Sequence, residues 1–320
     1  MTFPLLLASG LLLGQADTGY VRERTTDEDH CLRWPVAAGS STTISFVQSS
    51  AGFSELGAGL FDAVSRAEAT WASQANACTS LTLREGSRSS SRNVGYVQGQ
   101  TNENLVLVRA ADCSQVVGAD DPCWTSHSCG NAHECWEHGP AALAVTLITY
   151  QLSGAVLDSD VEINGATTSL TVVDAPPCTS GNVTPNCVGN DVQAIVTHEL
   201  GHALGLDHSP DPSSTMYAFA ALGETSKRIL DPASKQFLCD VYPPGLGSRD
   251  CSLPDGGSEP AVSDGGSTGG GPSPDPGPGG PGVARAAGSS CASAGGPGAP
   301  GAALAWSLVA AAGWRRRSRP

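Results

Sequence analysis

The sequence predicts an α+β domain that ends near residue 251. The order of its elements indicates the class, and the cysteine positions and the linker composition indicate the boundary. A strand-like run at residues 43–48 precedes a helical stripe at 54–77, several further extended runs and then a largely apolar helix that starts near Asn190 or Asp191, either of which can cap it. Ten of the eleven cysteines lie before residue 252. Gly, Pro, Ser and Asp dominate residues 252–290, which therefore cannot form a core and are predicted to be a linker.

The individual elements follow from the spacing of apolar residues. The helical stripe has apolar side chains three or four residues apart, at Leu56, Leu60, Val64, Ala67, Trp71 and Ala75. Extended runs rich in apolar residues predict further strands at residues 81–84, 93–97, 105–109, 141–150 and 155–163. Asp231 and Pro232 are a cap and first-turn pair, and they predict a closing helix with Phe237, Leu238, Val241 and Tyr242 on its buried side.

Charge and cysteine content exclude some classes of protein. The formal net charge is −14, and four of the few cations are arginines at the extreme C-terminus, so nucleic-acid binding is not expected. The cysteine content is too high for a reducing cytosol, and ten cysteines fit five disulfides. Spacing does not fix the connectivity, but Cys178–Cys187 and Cys239–Cys251 are plausible local pairs.

One short segment carries three histidines and a glutamate. His198 and His202 are four residues apart, so on a helix their imidazoles share one face, as two ligands of one tetrahedral zinc require. Glu199 is placed to take a proton from a metal-activated water. Gly205 can leave the helix at positive φ, which lets the chain turn back so that His208 becomes the third ligand. The fourth position stays open, which predicts a catalytic zinc.

The motif at residues 198–208 resembles that of the metzincin metalloproteases. Ser209 directly after the third histidine, and Met216 and Tyr217 shortly beyond, narrow the resemblance to the matrixins, the matrix metalloprotease family. The resemblance implies a zincin-like fold over residues 31–251. Such a fold has a twisted mixed five-stranded sheet, a long helix, an active-site helix and a small lower subdomain with a C-terminal helix. It also implies a zinc endopeptidase acting on protein or peptide substrates, with Met216 beneath the histidines and Tyr217 in the substrate pocket.

Two other functions remain open from the sequence. One is a peptidase of another metzincin branch, astacin-like or serralysin-like, in which Tyr217 would be a metal ligand. The other is a proteolytically silent, zinc-stabilised surface domain for binding or adhesion, although the intact Glu199 weighs against it.

Two further regions each allow two interpretations. Residues 113–135 form a cysteine-rich insertion, for which we expect two disulfides, with a Cys/His zinc site as the alternative. Asp158, Asp160 and Glu162 alternate along one predicted strand, and we expect a solvated face of a half-buried strand. Calcium binding by these carboxylates is the alternative.

The two ends of the chain predict its location. Residues 1–16 resemble a signal peptide, and residues 17–30 leave no room for the cysteine-containing propeptide that matrixins usually carry. Residues 291–320 combine Cys291, an apolar run and an arginine cluster, which resembles the C-terminal sorting tails of myxobacterial surface proteins. We therefore expect a secreted monomer that is held at the cell surface or outer membrane through this tail, or released. Membrane contact is expected only through the tail.

Overall fold

The computed structural model describes residues 19–179 and 182–251, together with the backbone of residues 283–287 and 292–293. The predicted signal peptide, most of the linker and nearly all of the C-terminal tail lie outside these ranges. In the part of the chain that is described, no helix is both long and apolar enough to cross a bilayer.

The elements are numbered in chain order. The strands are β1 (Thr42–Gln48), β2 (Leu81–Glu85), β3 (Asn104–Arg109), β4 (Ala111–Asp112), β5 (Cys135–Trp136), β6 (Ala144–Gln151), β7 (Val156–Asn164), β8 (Leu170–Thr171), β9 (Asn190–Asp191), β10 (Phe219–Ala220), β11 (Val283–Ala287) and β12 (Ala292–Ser293). The helices are α1 (Ala58–Cys78), α2 (Cys113–Val116), α3 (Cys123–Ser126), α4 (Cys129–His133), α5 (Val192–Leu204) and α6 (Pro232–Val241), with a 3₁₀ turn at Ser226–Arg228.

A mixed sheet organises the domain. Its five strands lie in the order β2-β1-β3-β7-β6, and all neighbours are parallel except β6 and β7, which are antiparallel. The predicted α+β class and five-stranded mixed sheet are confirmed. A sixth strand, β11, adds antiparallel to the outer edge of β6. It comes from within residues 252–290, the predicted linker.

Both faces of the sheet are covered. Helices α1 and α5 pack on one face, where Val106 and Val108 of β3 join their core. The alternate residues Leu105 and Leu107 join a second apolar cluster on the opposite face. Every predicted residue of the α1 stripe is buried except Leu56, which is partly buried against the same core.

One predicted strand is wrong. Residues 93–97 form no strand, because they are held instead by side chains of other segments. The backbone N–H of Val94 donates to Asn131 Oδ1 at 2.9 Å, and that of Gly95 donates to Asp160 Oδ2. Apolar alternation over a short run cannot distinguish a strand from such an irregular buried segment.

Five disulfides use all ten cysteines of the described domain. The predicted pair Cys178–Cys187 is confirmed, as are two bridges within the insertion, Cys113–Cys135 and Cys123–Cys129. The predicted pair Cys239–Cys251 is wrong. Cys251 instead joins Cys31, and Cys239 joins Cys78 at the end of α1, so both bridges link segments far apart in sequence.

The carboxylates of β7 are buried, so the expected solvated face is also wrong. Asp158, Asp160 and Glu162 are each no more than 3% exposed. His138, which follows the insertion, and Arg109 of β3 lie against this face: His138 Nε2 is 3.0 Å from Glu162 Oε2, and Arg109 Nε is 2.5 Å from Glu162 Oε1. Alternation indicated the shared face correctly, but it could not show which side chains cover that face.

Candidate metal centre

The helix that carries the histidine motif is held from several directions. Its N-terminus is capped by Asp191, whose Oδ1 accepts from the N–H of Ala194 at 2.8 Å, as predicted for this position. Trp71 Nε1 of α1 donates to the carbonyl of Thr197 at 2.8 Å, directly before the first histidine. Every residue of α5 is buried. The motif therefore sits on a rigid support.

Gly205 ends the helix in the left-handed conformation, with φ 108°. Its N–H donates to His202 O, and that of Leu206 donates to Gly201 O. A Cβ at Gly205 would lie 2.4 Å from the carbonyl oxygen of Leu32, so both φ and space require glycine. The chain turns back here, as the sequence predicted.

Three imidazoles converge beyond this turn. His198 Nε2 lies 3.2 Å from His202 Nε2 and 3.3 Å from His208 Nε2. Three nitrogens about 2.0–2.1 Å from one tetrahedral zinc are separated by about 3.3–3.4 Å. The distances from His198 Nε2 to the other two Nε2 atoms therefore fit a shared zinc.

The opposite nitrogens of two rings are fixed by backbone carbonyls. His198 Nδ1 lies 2.7 Å from Thr215 O, and His202 Nδ1 lies 2.8 Å from Leu206 O. A carbonyl can only accept, so each Nδ1 carries the proton and each Nε2 lone pair faces the common centre.

Burial keeps the imidazoles neutral. It is the largest cause that lowers the pKa of His202, to about 3, with the charge of His208 next. Burial also lowers the pKa of His198 far below its ordinary value, and it lowers that of His208 against the opposing effect of Asp207. Neutral imidazole is the form that binds a metal, so these three groups need lose no proton near pH 7.

Glu199 lies fully buried beside this cluster. The hydroxyl of Thr146 on β6 donates to Glu199 Oε2 at 2.6 Å. This contact fixes the carboxylate and connects the helix to the outer strand of the five-stranded sheet.

Met216 packs beneath the motif helix. It is 1% exposed, and a Cβ placed on Gly201 would lie 2.3 Å from its sulfur. The backbone N–H of Ser209 donates to Met216 O at 2.9 Å, which ties this turn to the residue after the third histidine. Gly201 is therefore the residue that allows the methionine to approach the helix.

Tyr217 is half-buried, and its carbonyl accepts from Lys227 Nζ at 2.5 Å. A nearby cavity, open to solvent, lies between α5 and the segment after β10. Its lining includes Ile195, Ala220 and Lys227 but not Tyr217. The pocket role of Tyr217 therefore stays a prediction.

A second group with potential metal ligands occurs in the insertion, at Asp121, Cys123 and His133. Cys123 is bridged to Cys129 and has no thiolate to offer. The disulfide interpretation of the insertion is thus confirmed against a Cys/His zinc site.

Three residues near the site were missed from the sequence. Thr146 contacts Glu199. Lys227 is a buried cation whose charge contributes to the low histidine pKa values. Glu23 Oε2 lies 4.0 Å from His202 Nδ1. Burial raises the pKa of Glu23 well above its ordinary value, and Asp207 and Glu199 add to this. Lys227, one of only two lysines, offered a weak signal in its rarity, whereas nothing local indicated Thr146 or Glu23.

Comparisons with known proteins agree with this geometry. Residues 66–242, more than half of the chain, match the family model described as matrixin. The chain is 44% identical to human matrix metalloproteinase-16 over 68 residues, which are 21% of this chain and 11% of that protein. It is 38% identical to cat matrilysin over 55 residues, 17% of this chain and 21% of that protein. It is 47% identical to matrix metalloproteinase-A of Caenorhabditis elegans over 38 residues, 12% of this chain and 7% of that protein. The chain thus matches at most about a fifth of these relatives' lengths.

Proposed function

Because this chain belongs to the matrixin family, we propose that it is a zinc-dependent endopeptidase, with His198, His202 and His208 as the metal ligands and Glu199 as the general base. The observation that carries the proposal is the convergence of three Nε2 atoms at zinc-ligand spacing beside a buried carboxylate. Family membership disfavours the astacin-like and serralysin-like alternatives.

The chemistry divides between the metal and the protein. Zinc held at this centre supplies Lewis acidity that polarises a carbonyl and makes a water molecule more acidic. Glu199 takes a proton from the water molecule as the water oxygen attacks the scissile carbonyl carbon. The same carboxyl then gives that proton to the departing amine as the C–N bond breaks. Thr146, through its 2.6 Å hydrogen bond, orients Glu199 for both transfers.

Met216 and Tyr217 complete the proposed site. The contact of Met216 with Gly201 supports its role as a fixed floor beneath the ligands. We propose that the side chain following the scissile bond enters the cavity beside α5, with the segment from Tyr217 onward as its wall. The substrate is a protein or peptide, and the family's peptidase activity is the ground for this choice.

We further propose that the enzyme works outside the cytosol. Five disulfides support this, because thiols of cytosolic proteins are kept reduced. Export by residues 1–16 and surface attachment through residues 291–320 are part of the same proposal. Calcium binding and the monomeric state stay predictions.

The test uses the full chain and an internally quenched peptide. We expect hydrolysis to stop on chelation and to return with added zinc. Glu199→Ala should keep one zinc per chain and lose roughly 10²–10⁴-fold in kcat, the usual contribution of a general base. Unimpaired hydrolysis by this variant would refute the role of Glu199. Zinc binding without any hydrolysis in the wild type would favour the silent binding domain instead.

A further inference from the structure

The outer edge of β6 carries an unexpected partner. Strand β11 pairs antiparallel with β6, from Val283 opposite Gln151 to Ala287 opposite Leu147. Strand β12 then pairs parallel with β10, with Ala292 opposite Phe219. Two consecutive stretches of the C-terminal region thus add to two different edges of the domain.

Both edges adjoin the metal centre. Leu147, where the β11 pairing ends, follows Thr146, the residue that contacts Glu199. Phe219, where the β12 pairing begins, lies three residues beyond Met216, which packs on Gly201. The five Cα steps from Ala287 to Ala292 span at most about 18 Å. Two stretches close in sequence therefore pair with backbone on both borders of the site.

A peptide that reaches Glu199 would need these same backbone groups. Extended peptides commonly bind by adding a strand to an exposed sheet edge, where main-chain hydrogen bonds supply the affinity. Without β11, β6 is the exposed edge of the five-stranded sheet. An occupant of β6 and β10 thus excludes any other strand from them.

We propose that residues 283–287 and 292–293 act together as a built-in pseudo-substrate, which occupies the peptide-docking edges of β6 and β10 and competes with substrate. This inference rests on the proposed peptidase function. About 30 Gly- and Pro-rich residues lie between the domain and β11 in the sequence, and a linker of that length gives an effective concentration on the order of millimolar. Even weak pairing then keeps the edge occupied for much of the time.

The test places prolines in the paired strand of the full chain. Successive N–H groups of a strand point to opposite sides, so Ala286→Pro with Ala287→Pro removes one hydrogen bond to β6 whichever residue faces it. The matched control is Ala261→Pro with Val262→Pro, two prolines outside both paired stretches. Each protein is checked by mass spectrometry to be intact.

Two readouts separate this inference from the function on which it rests. Amide hydrogen exchange over residues 144–151 should be at least about tenfold faster in the 286/287 variant than in the control. Competition within the chain raises KM alone, so KM for a peptide substrate should fall roughly two- to tenfold with kcat unchanged. Unchanged exchange over β6 overturns the pseudo-substrate. If no protein hydrolyses peptide, the proposed function fails, and exchange alone decides the pairing.

Discussion

The histidine cluster and the cluster of β7 carboxylates are both buried near β6, but their polar groups have different kinds of partner. In the histidine cluster, His198 Nε2 lies 3.2–3.3 Å from the other two Nε2 atoms, and burial is the largest cause that lowers the pKa of each imidazole. In the β7 cluster, Glu162 contacts Arg109 and His138. Burial alone would raise the pKa of Glu162, but the hydrogen bond from His138 and the charge of Arg109 hold it below its ordinary value.

The difference distinguishes a ligand site from a structural one. Two of the β7 carboxylates find partners within the protein: Glu162 contacts Arg109 and His138, and Asp160 Oδ1 accepts from the N–H of Leu105 at 2.7 Å. The Nε2 lone pairs of His198 and His202 face the common centre where the proposed zinc would bind. We infer that these two carboxylates serve the fold and that the histidine cluster serves a metal.

The largest effect should follow from removing one ligand of the histidine cluster. His202→Ala should weaken zinc binding by roughly two to three orders of magnitude, which corresponds to about a quarter of the binding free energy of a four-ligand site. Zinc content after dialysis measures this. His133→Ala, at an exposed histidine of the insertion, is the control and should keep its zinc. Equal zinc in both variants would contradict the assigned ligands.

Breaking the β7 cluster should cost stability and leave zinc in place. Arg109 is fully buried, and Arg109→Met leaves Glu162 buried without its guanidinium partner. Removing one partner of a buried pair typically costs about 3–5 kcal/mol. Urea unfolding of the variant measures the loss. Arg84→Met, at an exposed arginine, should change stability by no more than about 0.5 kcal/mol. A similar small change at both positions would show that the β7 cluster is not structural.

A smaller effect is expected at Glu68 of α1, a buried carboxyl for which the described residues supply no partner cation. Burial, followed by the charge of Glu85, raises its pKa from 4.5 to about 8. The folded protein therefore binds more protons than the unfolded chain between these values, and the free energy of unfolding falls as the pH rises from 4.5 to 8.

Glu68→Gln should remove this fall in the free energy of unfolding with rising pH. The variant should be about 1–3 kcal/mol more stable than the wild type at pH 8, with little difference at pH 4. Urea unfolding at both pH values measures the contrast. The exposed Glu55→Gln serves as the control. Equal pH dependence in the wild type and in Glu68→Gln would contradict the assignment.

The parts of the site that could be predicted are local in sequence. The four-residue spacing of His198 and His202, the cap at Asp191 and the turn at Gly205 each depend on a few neighbouring residues, and the structure has them as expected. The strands that follow apolar alternation were found within one to three residues of their predicted bounds, apart from residues 93–97.

The parts that could not be predicted depend on contacts between distant segments. The bridges Cys31–Cys251 and Cys78–Cys239 join residues 220 and 161 positions apart, where spacing carries no information. The contact of Thr146 with Glu199 likewise depends on how a strand and a helix pack. The burial of Glu162 depends on His138, 24 residues away in sequence, lying against a face that alternation alone describes as half-exposed.

X-ray absorption at the zinc edge of the full chain tests the ligand assignment most directly. Three imidazole nitrogens and one oxygen scatterer at about 2.0–2.1 Å are expected, and His208→Ala should lose one imidazole contribution. Sulfur scatterers at about 2.3 Å, or an unchanged spectrum in His208→Ala, would contradict a centre built from these three histidines.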